Sequence, residues 1–501
     1  MFLQFSFEDA LLATLIASIV YFTLATIHSL YFHSLSRFPG PKSWAISRIP
    51  YAYTLLKGDL TQRTKELHEQ YGKIVRLAPN ELSFIDGQAW QDIYNHHQGR
   101  PNFSKNPLWM APGDNGIHSI LSANDADHAR YRRLLAHAFS ERALREQEYL
   151  PLAYIDLLTR KIRGIVSASE SHSAVVDIVK WLNFTTFDIV GDLALGESFH
   201  CLEDSNYHGW VSILFTQFKA AALFVSLRFF GLDKPLRMVL PKSLLKKRAE
   251  HAKYSTDRIH HRLNQGKEGA DAQRNDFMTY VLRYNDEKGM TVPEIEQTFR
   301  VLVVAGAETS GTALSGILGN LLQSPDAMEN IVKEVRQSFR NASEICANRV
   351  SNLPYLNAVI EEGLRLCPPV ALGMPRVVPA GGAEVSGQWL PGGTFVACPG
   401  YASNRSLLNF PDSPSTFDPS RWLPPSNLSK VGSSAFNPFS LGPRNCLGRN
   451  LAYLEMRLIL AHLLWHFEFE AEDSAWNWED QKTWILWEKK PLKVKIRIRD
   501  G

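Results

Sequence analysis

From Ala10 to Ser36 the chain carries no Asp, Glu, Lys or Arg and is rich in Leu, Ile, Ala, Phe and Tyr. About 20 apolar residues are enough to cross a bilayer as a helix, so this stretch is read as a membrane anchor occupying residues 1–36. Glu8 and Asp9 precede the run, whereas Arg37, Lys42 and Arg48 come after it. Basic flanks stay on the cytoplasmic side, which puts the bulk of the chain in the cytoplasm. A cleaved signal peptide fits less well, because no basic segment precedes the run and the run exceeds the usual length of a signal core. Phe38-Pro-Gly-Pro41 then stops the helix and stiffens its exit.

The remainder of the chain, residues 37–501, reads as one large folded body, since no linker interrupts it. Hydrophobic residues make up 45% of the chain and charged residues 21%, an ordinary balance for a protein with a sizeable core. The net charge of +3 is too small to argue for nucleic acid as a partner. Five cysteines, at 201, 346, 367, 398 and 446, are scattered and form no CxxC pair, which points to a reducing compartment and not to a disulfide framework.

Ile295 to Leu322 is a long apolar helix in expectation, introduced by Thr291-Val-Pro-Glu294 in the form of a capping box and closed by Ser324-Pro325. Gly306, Gly311, Gly316 and Gly319 interrupt it, and each costs about 1 kcal/mol against Ala, so close packing or function must require them. Inside it lies Ala305-Gly-Ala-Glu308-Thr309. Tyr355 to Leu366 reads as another helix, with Glu362 and Arg365 three apart on one face.

The most specific pattern lies near the C-terminus: Phe439-Ser-Leu-Gly442-Pro-Arg444-Asn-Cys446-Leu-Gly448. A thiolate that ligates iron has to sit at the end of a tight turn. Gly442 can take positive φ there, and Gly448 lets the backbone approach a flat macrocycle. Arg444 is placed to pair with a carboxylate. Leu447 to Trp465 reads as a helix starting just beyond Cys446, whose N–H groups and positive dipole end are expected to lower the thiol pKa.

This run resembles the haem-binding loop of the cytochrome P450 family, with Phe, Gly, Arg, Cys and Gly at matching spacings. The resemblance covers nearly the whole chain after the anchor, and it is closest to the fungal microsomal branch of secondary metabolism, to which trichothecene hydroxylases belong. It implies a mainly α fold with small β-sheets behind an N-terminal transmembrane helix, and haem b whose iron takes Cys446 as its axial ligand. It further implies that Thr309 and Glu308 form the alcohol and acid pair that supplies protons for O₂ activation. Read from the residues alone, Thr309 bonding a preceding carbonyl is the competing account.

By the same resemblance Arg444, Arg132 and Arg376 meet the haem propionates. His128 stands four residues before Arg132 on one helical face, where many family members carry Trp, and it supplies an imidazole N–H instead. Glu362, Arg365 and Arg421 are expected to form a buried network that supports the thiolate loop. The segments 103–120, 213–239, 370–374 and 484–487, with Val304 and Ala305, are expected to line an apolar substrate pocket. Residues 213–239, with Lys242, Lys246, Lys247 and Arg248 after them, stand open to two readings, a second membrane contact or an ordinary core-facing helix with solvated lysines.

No glycine-rich dinucleotide motif comes after a strand, so electrons are expected from outside the chain. The resemblance points to NADPH through the flavins of a separate NADPH–cytochrome P450 reductase, with cytochrome b5 as a further donor, at the endoplasmic reticulum membrane. The leading expectation is a monooxygenase that hydroxylates or epoxidises a lipophilic small molecule, a terpenoid, polyketide or alkaloid. A reductase-independent haem-thiolate isomerase or dehydratase, and a non-catalytic haem-binding membrane protein, are the alternatives. Leu492 to Arg499 alternates as an exposed strand does.

Overall fold

The computed structural model describes residues 7–499 apart from 114, 240–241, 267–274 and 425–433; side chains at 215, 237–249 and 251–252 lie outside the description too. The four basic residues at 242–248 fall in that last group.

The protein is mainly helical with small sheets, and eight helices frame the N-terminal apolar segment, the loop at 439–448 and the apolar segments around it. They are α1 (Phe7–Ile27), α2 (Ile49–Leu56), α3 (Asp125–Leu135), α4 (Ile178–Leu195), α5 (Gly209–Arg228), α6 (Val292–Leu322), α7 (Pro354–Leu366) and α8 (Arg449–His466). With a π-helical turn at His28–Phe32, α1 makes an apolar helix of 26 residues, long enough to span a membrane and with no residue of α1 itself buried. By length and composition α5 and α6 also qualify, but most of α6 is enclosed by protein. The end of the first helix is tied to the body at Ser29, whose hydroxyl donates to Ala45 O at 2.5 Å and whose carbonyl accepts from Arg76 at 2.9 Å. Leu35 and Phe38 then join a buried apolar cluster.

Five strands form the larger sheet in the order β1-β2-β8-β5-β3: β1 (Ile74–Ala78), β2 (Glu81–Phe84), β3 (Ser104–Lys105), β5 (Arg376–Val377) and β8 (Phe395–Ala397). β3 and β5 pair antiparallel with Lys105 opposite Arg376. A second sheet sets β12 (Lys493–Ile498) between β4 (Ser173–Asp177) and β9 (Phe467–Ala471). The C-terminal alternation therefore belongs to a central strand with Val494 and Ile496 buried, not to an exposed one; period two reports a buried face and not an edge. Two hairpins complete the set, β6 (Ala383–Val385) with β7 (Gln388–Leu390), and β10 (Lys482–Thr483) with β11 (Trp487–Glu488).

The 31-residue α6 begins three residues earlier than its apolar pattern, because the Thr291–Glu294 capping box forms and Glu294 accepts the Thr291 N–H at 2.8 Å. At 1.5 Å per residue it is about 46 Å long. Its glycines answer to packing. A Cβ at Gly306 would stand 3.0 Å from Val190 and one at Gly311 2.5 Å from Asn183, both on α4; at Gly316 and Gly319 it would meet Cys367 and Trp476 at 2.4 and 2.3 Å. The same closeness recurs on α7, where a Cβ at Gly363 would lie 2.1 Å from Ile317 Cγ1 of α6. Gly363→Ala is therefore expected to cost about 1–3 kcal/mol in urea unfolding, with part of the loss recovered by Ile317→Ala on the same background.

Candidate haem-thiolate site

The loop at 439–448 is closed by the Cys446 N–H donating to Phe439 O at 2.8 Å. Ser440 and Gly442 both take positive φ, 59° and 70°, and a Cβ on Gly442 would come within 2.2 Å of Tyr94 O. Glycine at 442 is thus required twice over. At Gly448 φ is −84°, and a Cβ would meet only ordinary contacts, with Phe139 at 3.9 Å and Cys446 Sγ at 4.0 Å. Gly448 serves by leaving the space beside the thiol clear. The Phe439 ring packs 5.1 Å from that of Tyr453 on α8. Arg132, from α3, donates to Asn445 O at 2.7 Å and to the Asn445 side chain, so it braces the loop one residue before the thiol.

Cys446 is enclosed by the body of the protein yet keeps accessible side-chain surface. On α6, which packs against α8, Ala305 is exposed and Thr309 half-buried between buried neighbours at 303, 307, 308 and 310. Protein leaves uncovered surface at both places.

The helix after the loop starts at Arg449, two residues later than its apolar pattern, with Gly448 as its N-cap. The expected lowering of the thiol pKa is overturned in sign. Burial raises it and outweighs the opposing Gly448 N–H and the charges of Arg132 and Arg449.

Among the described residues around the loop, cations outnumber carboxylates. Arg444 donates to Asp125 Oδ1 at 2.7 Å and to Ala123 O at 2.8 Å, while its Nη1 has no partner among the described residues. Arg376 is buried, reaches Phe103 O at only 3.4 Å, and has an Nε with no partner among the described residues. Burial brings its pKa down to about 10, and the charge of Arg444 pushes the same way. Lys105, opposite Arg376 in the sheet, is held well below its usual pKa by burial and then by Arg376 and Arg444. His128 is nearly buried on α3, and burial with the charges of Arg444, Arg132 and Lys105 lowers it to about 4, so the ring is neutral. Lys105 was missed by sequence reasoning. It is a lone Lys on a two-residue strand, and only the pairing with β5 brings it here.

This donor set fits haem. A thiol at a helix start, clear space beside it, and buried cations with unpartnered N–H groups suit a ligand that carries a metal and two carboxylates.

Glu362 and Arg365 are fully buried and paired at 2.7 Å. Arg421 reaches Glu362 at 3.3 Å, Trp422 Nε1 donates to it at 3.0 Å and the Asp418 N–H at 2.9 Å. Arg365 also donates to Asn404, Pro414 and Thr416 carbonyls.

The structure does not bring Thr309 and Glu308 into contact with each other. Thr309 Oγ1 donates to Ala305 O at 2.6 Å. Glu308, fully buried, forms an ion pair with Lys489, and burial raises its pKa against the Lys489 charge. Four of the five pocket segments do converge: Trp109, Ala222, Val225, Phe229, Leu372 and Trp484 share one apolar cluster.

A family model described as Cytochrome P450 matches residues 39–496. Among curated proteins, the chain is 40% identical to cytochrome P450 monooxygenase atr2 of Stereocaulon alpinum, over 99% of this chain and 98% of that protein. It is 42% identical to cytochrome P450 monooxygenase astJ of Aspergillus oryzae, over 95% and 94% of the two chains. It is also 42% identical to an averantin hydroxylase of Dothistroma septosporum, over 97% and 92%.

Glu362→Ala would leave Arg365 and Arg421 buried without their carboxylate. It is expected to cost about 3–5 kcal/mol in chemical denaturation and to lower haem content in proportion to the folded fraction.

Proposed function

Because the chain belongs to the cytochrome P450 family of monooxygenases, we propose that it hydroxylates or epoxidises a lipophilic small molecule of fungal secondary metabolism. Electrons come from NADPH through a separate flavoprotein reductase. Residues 1–36 are the anchor and 37–501 the catalytic domain.

The carrying observation is the cationic cluster of Lys105, Arg376 and Arg444 beside the Cys446 loop, which has Asp125 as its near carboxylate. Two propionates supply the missing negative charge. Cys446 is the metal ligand, Phe439, Gly442 and Gly448 shape its loop, and Arg444, Arg376, Arg132 and His128 hold the group's edge. When bound, haem supplies O₂ activation under a thiolate ligand.

The chain's own residues do the rest. Thr309 presents a hydroxyl on the uncovered face of α6, and Glu308 lies one residue before it as the acid. The pair delivers protons so that reducing equivalents leave as water. The cluster of Trp109, Phe229, Leu372 and Trp484 supports an apolar pocket that orients substrate and excludes water. The likeness to averantin hydroxylases supports hydroxylation.

The apolar α1, with Arg37 and Lys42 after it, supports a single pass through the endoplasmic reticulum membrane with the body in the cytoplasm. Ile49 and Tyr53 on α2 and Phe230 and Leu232 beyond α5 are exposed, while Tyr51 and Phe229 between them pack 5.7 Å apart. One apolar patch spanning the two helices supports a second membrane contact.

Cys446→Ser in the membrane-expressed protein is expected to abolish the red-shifted Soret band of the reduced, carbon monoxide-treated wild type. A wild type that holds haem but shows no such band would remove the monooxygenase reading. Thr309→Ala is expected to keep haem and to divert NADPH to hydrogen peroxide, by about tenfold or more if the hydroxyl acts in proton transfer. An unchanged peroxide yield would remove that role from Thr309.

A further inference from the structure

Successive residues of an extended chain point to opposite sides, and Glu488, the last residue of β11, and Lys489 just beyond it do so with opposite charge. Glu488 turns outward to Lys219 of α5 at 2.5 Å, where both side chains are about half exposed. Lys489 turns inward. Its ammonium pairs with Glu308 Oε1 and donates to Thr312 Oγ1 at 3.0 Å. Lys489 is 4% exposed and Glu308 0%.

One cation therefore grips two positions of α6 that lie four apart on the same face. That face is about 100° around the helix from Ala305 and Thr309. Glu308 Oε2 is buried with no partner among the described residues. Tyr207 lies near it, and burial, with the charge of Glu308 pushing the same way, raises the pKa of that phenol. A carboxyl buried like this without a cation favours the neutral form. A neutral carboxyl can swing back and donate to a carbonyl of its own helix.

We propose that Lys489 is the positioning residue for Glu308: it pins Oε1 on the Thr312 side of α6 and leaves Oε2 as the oxygen that exchanges a proton toward Thr309. The inference rests on the proton-delivery reading of Glu308 given above. It adds a residue 181 positions away in sequence, just past the β10–β11 hairpin whose turn carries Trp484 of the pocket cluster.

The test uses full-length, haem-loaded, membrane-bound protein as wild type, Lys489→Met, Lys489→Arg, Glu308→Gln and the double variant Glu308→Gln/Lys489→Met. The first readout, independent of turnover, is infrared difference spectroscopy of the carboxylic acid C=O stretch in H₂O and D₂O. Glu455, buried and protonated at neutral pH, contributes equally throughout and cancels. Lys489→Met is expected to gain a band absent from wild type, from Lys489→Arg and from the double variant. The second readout is hydrogen peroxide formed per NADPH oxidised with reductase. Lys489→Met is expected to rise about tenfold, to the level of Glu308→Gln, and Lys489→Arg to stay near wild type.

A Glu308 acid band already present in wild type overturns the proposal. So does a wild-type peroxide yield in Lys489→Met when Glu308→Gln is raised, and in that case the role of Glu308 stands. If Glu308→Gln itself leaves the yield unchanged, both fall together. Should Lys489→Met fail to load haem, Lys489→Gln, which donates without charge, carries the same comparison.

Discussion

The arrangement of charge around Cys446 is the constraint on which the site depends. Burial opposes ionisation of the thiol more strongly than the Gly448 N–H, Arg132 and Arg449 favour it, so the protein alone leaves the sulfur protonated. A coordinated metal deprotonates a thiol outright. On the other side of the same site, Lys105, Arg376 and Arg444 repel one another, with Asp125 as the near carboxylate among the described residues. Both imbalances have the sign that a metal with a dianionic edge corrects. The proposed haem therefore stabilises the folded state as well as equipping it, because a ligand that binds only the folded form shifts the equilibrium toward it.

Around that centre the fold supplies rigidity by close approach. α6 could not lie against α4, α7 and Cys367 at this spacing with side chains at 311, 316 and 363, since each Cβ would fall within 2.5 Å of a neighbour. The helix-propensity penalty of its glycines is offset by the packing they allow. In the middle of α6 the surface left uncovered lies at 304–306 and 309, between buried residues at 303, 307, 308 and 310.

Legibility in the sequence tracked the distance over which an interaction acts. The loop from Phe439 to Gly448, the Thr291–Glu294 cap and the Glu362–Arg365 pair are local, and their spacing announced them. The meeting of Arg132 with Asn445, or of Arg376 with Lys105, depends on which helix and strand become neighbours, and residue identity alone could only nominate the cations. Lys105 and Lys489 carried no signal, because each is an isolated Lys whose partner is brought by topology. Two readings failed for physical reasons. The helix dipole at Cys446 was a true local effect, outweighed by desolvation that no sequence window contains. The alternation at 493–498 was correctly periodic, but periodicity identifies a buried face and says nothing of whether both edges are paired.

Three buried glutamates show how polar satisfaction separates support from chemistry. Glu362 has both oxygens bonded, to Arg365, Arg421, Trp422 and the Asp418 N–H, and a carboxylate so held has no freedom to exchange a proton. Glu455 on α8 lies toward the opposite limit: no cation holds it among the described residues, and burial outweighs the Ser310 hydroxyl to raise its pKa to about 8. Glu308 is intermediate, with Oε1 bound to a buried ammonium and Oε2 without a partner among the described residues. A relay needs that combination, because a group held firmly at both oxygens cannot move a proton and one held by no ion pair has no fixed direction in which to pass it. The asymmetry at Glu308 comes from a strand end far along the chain, so the chemistry of α6 depends on the register of the C-terminal hairpin as much as on the helix that carries the acid.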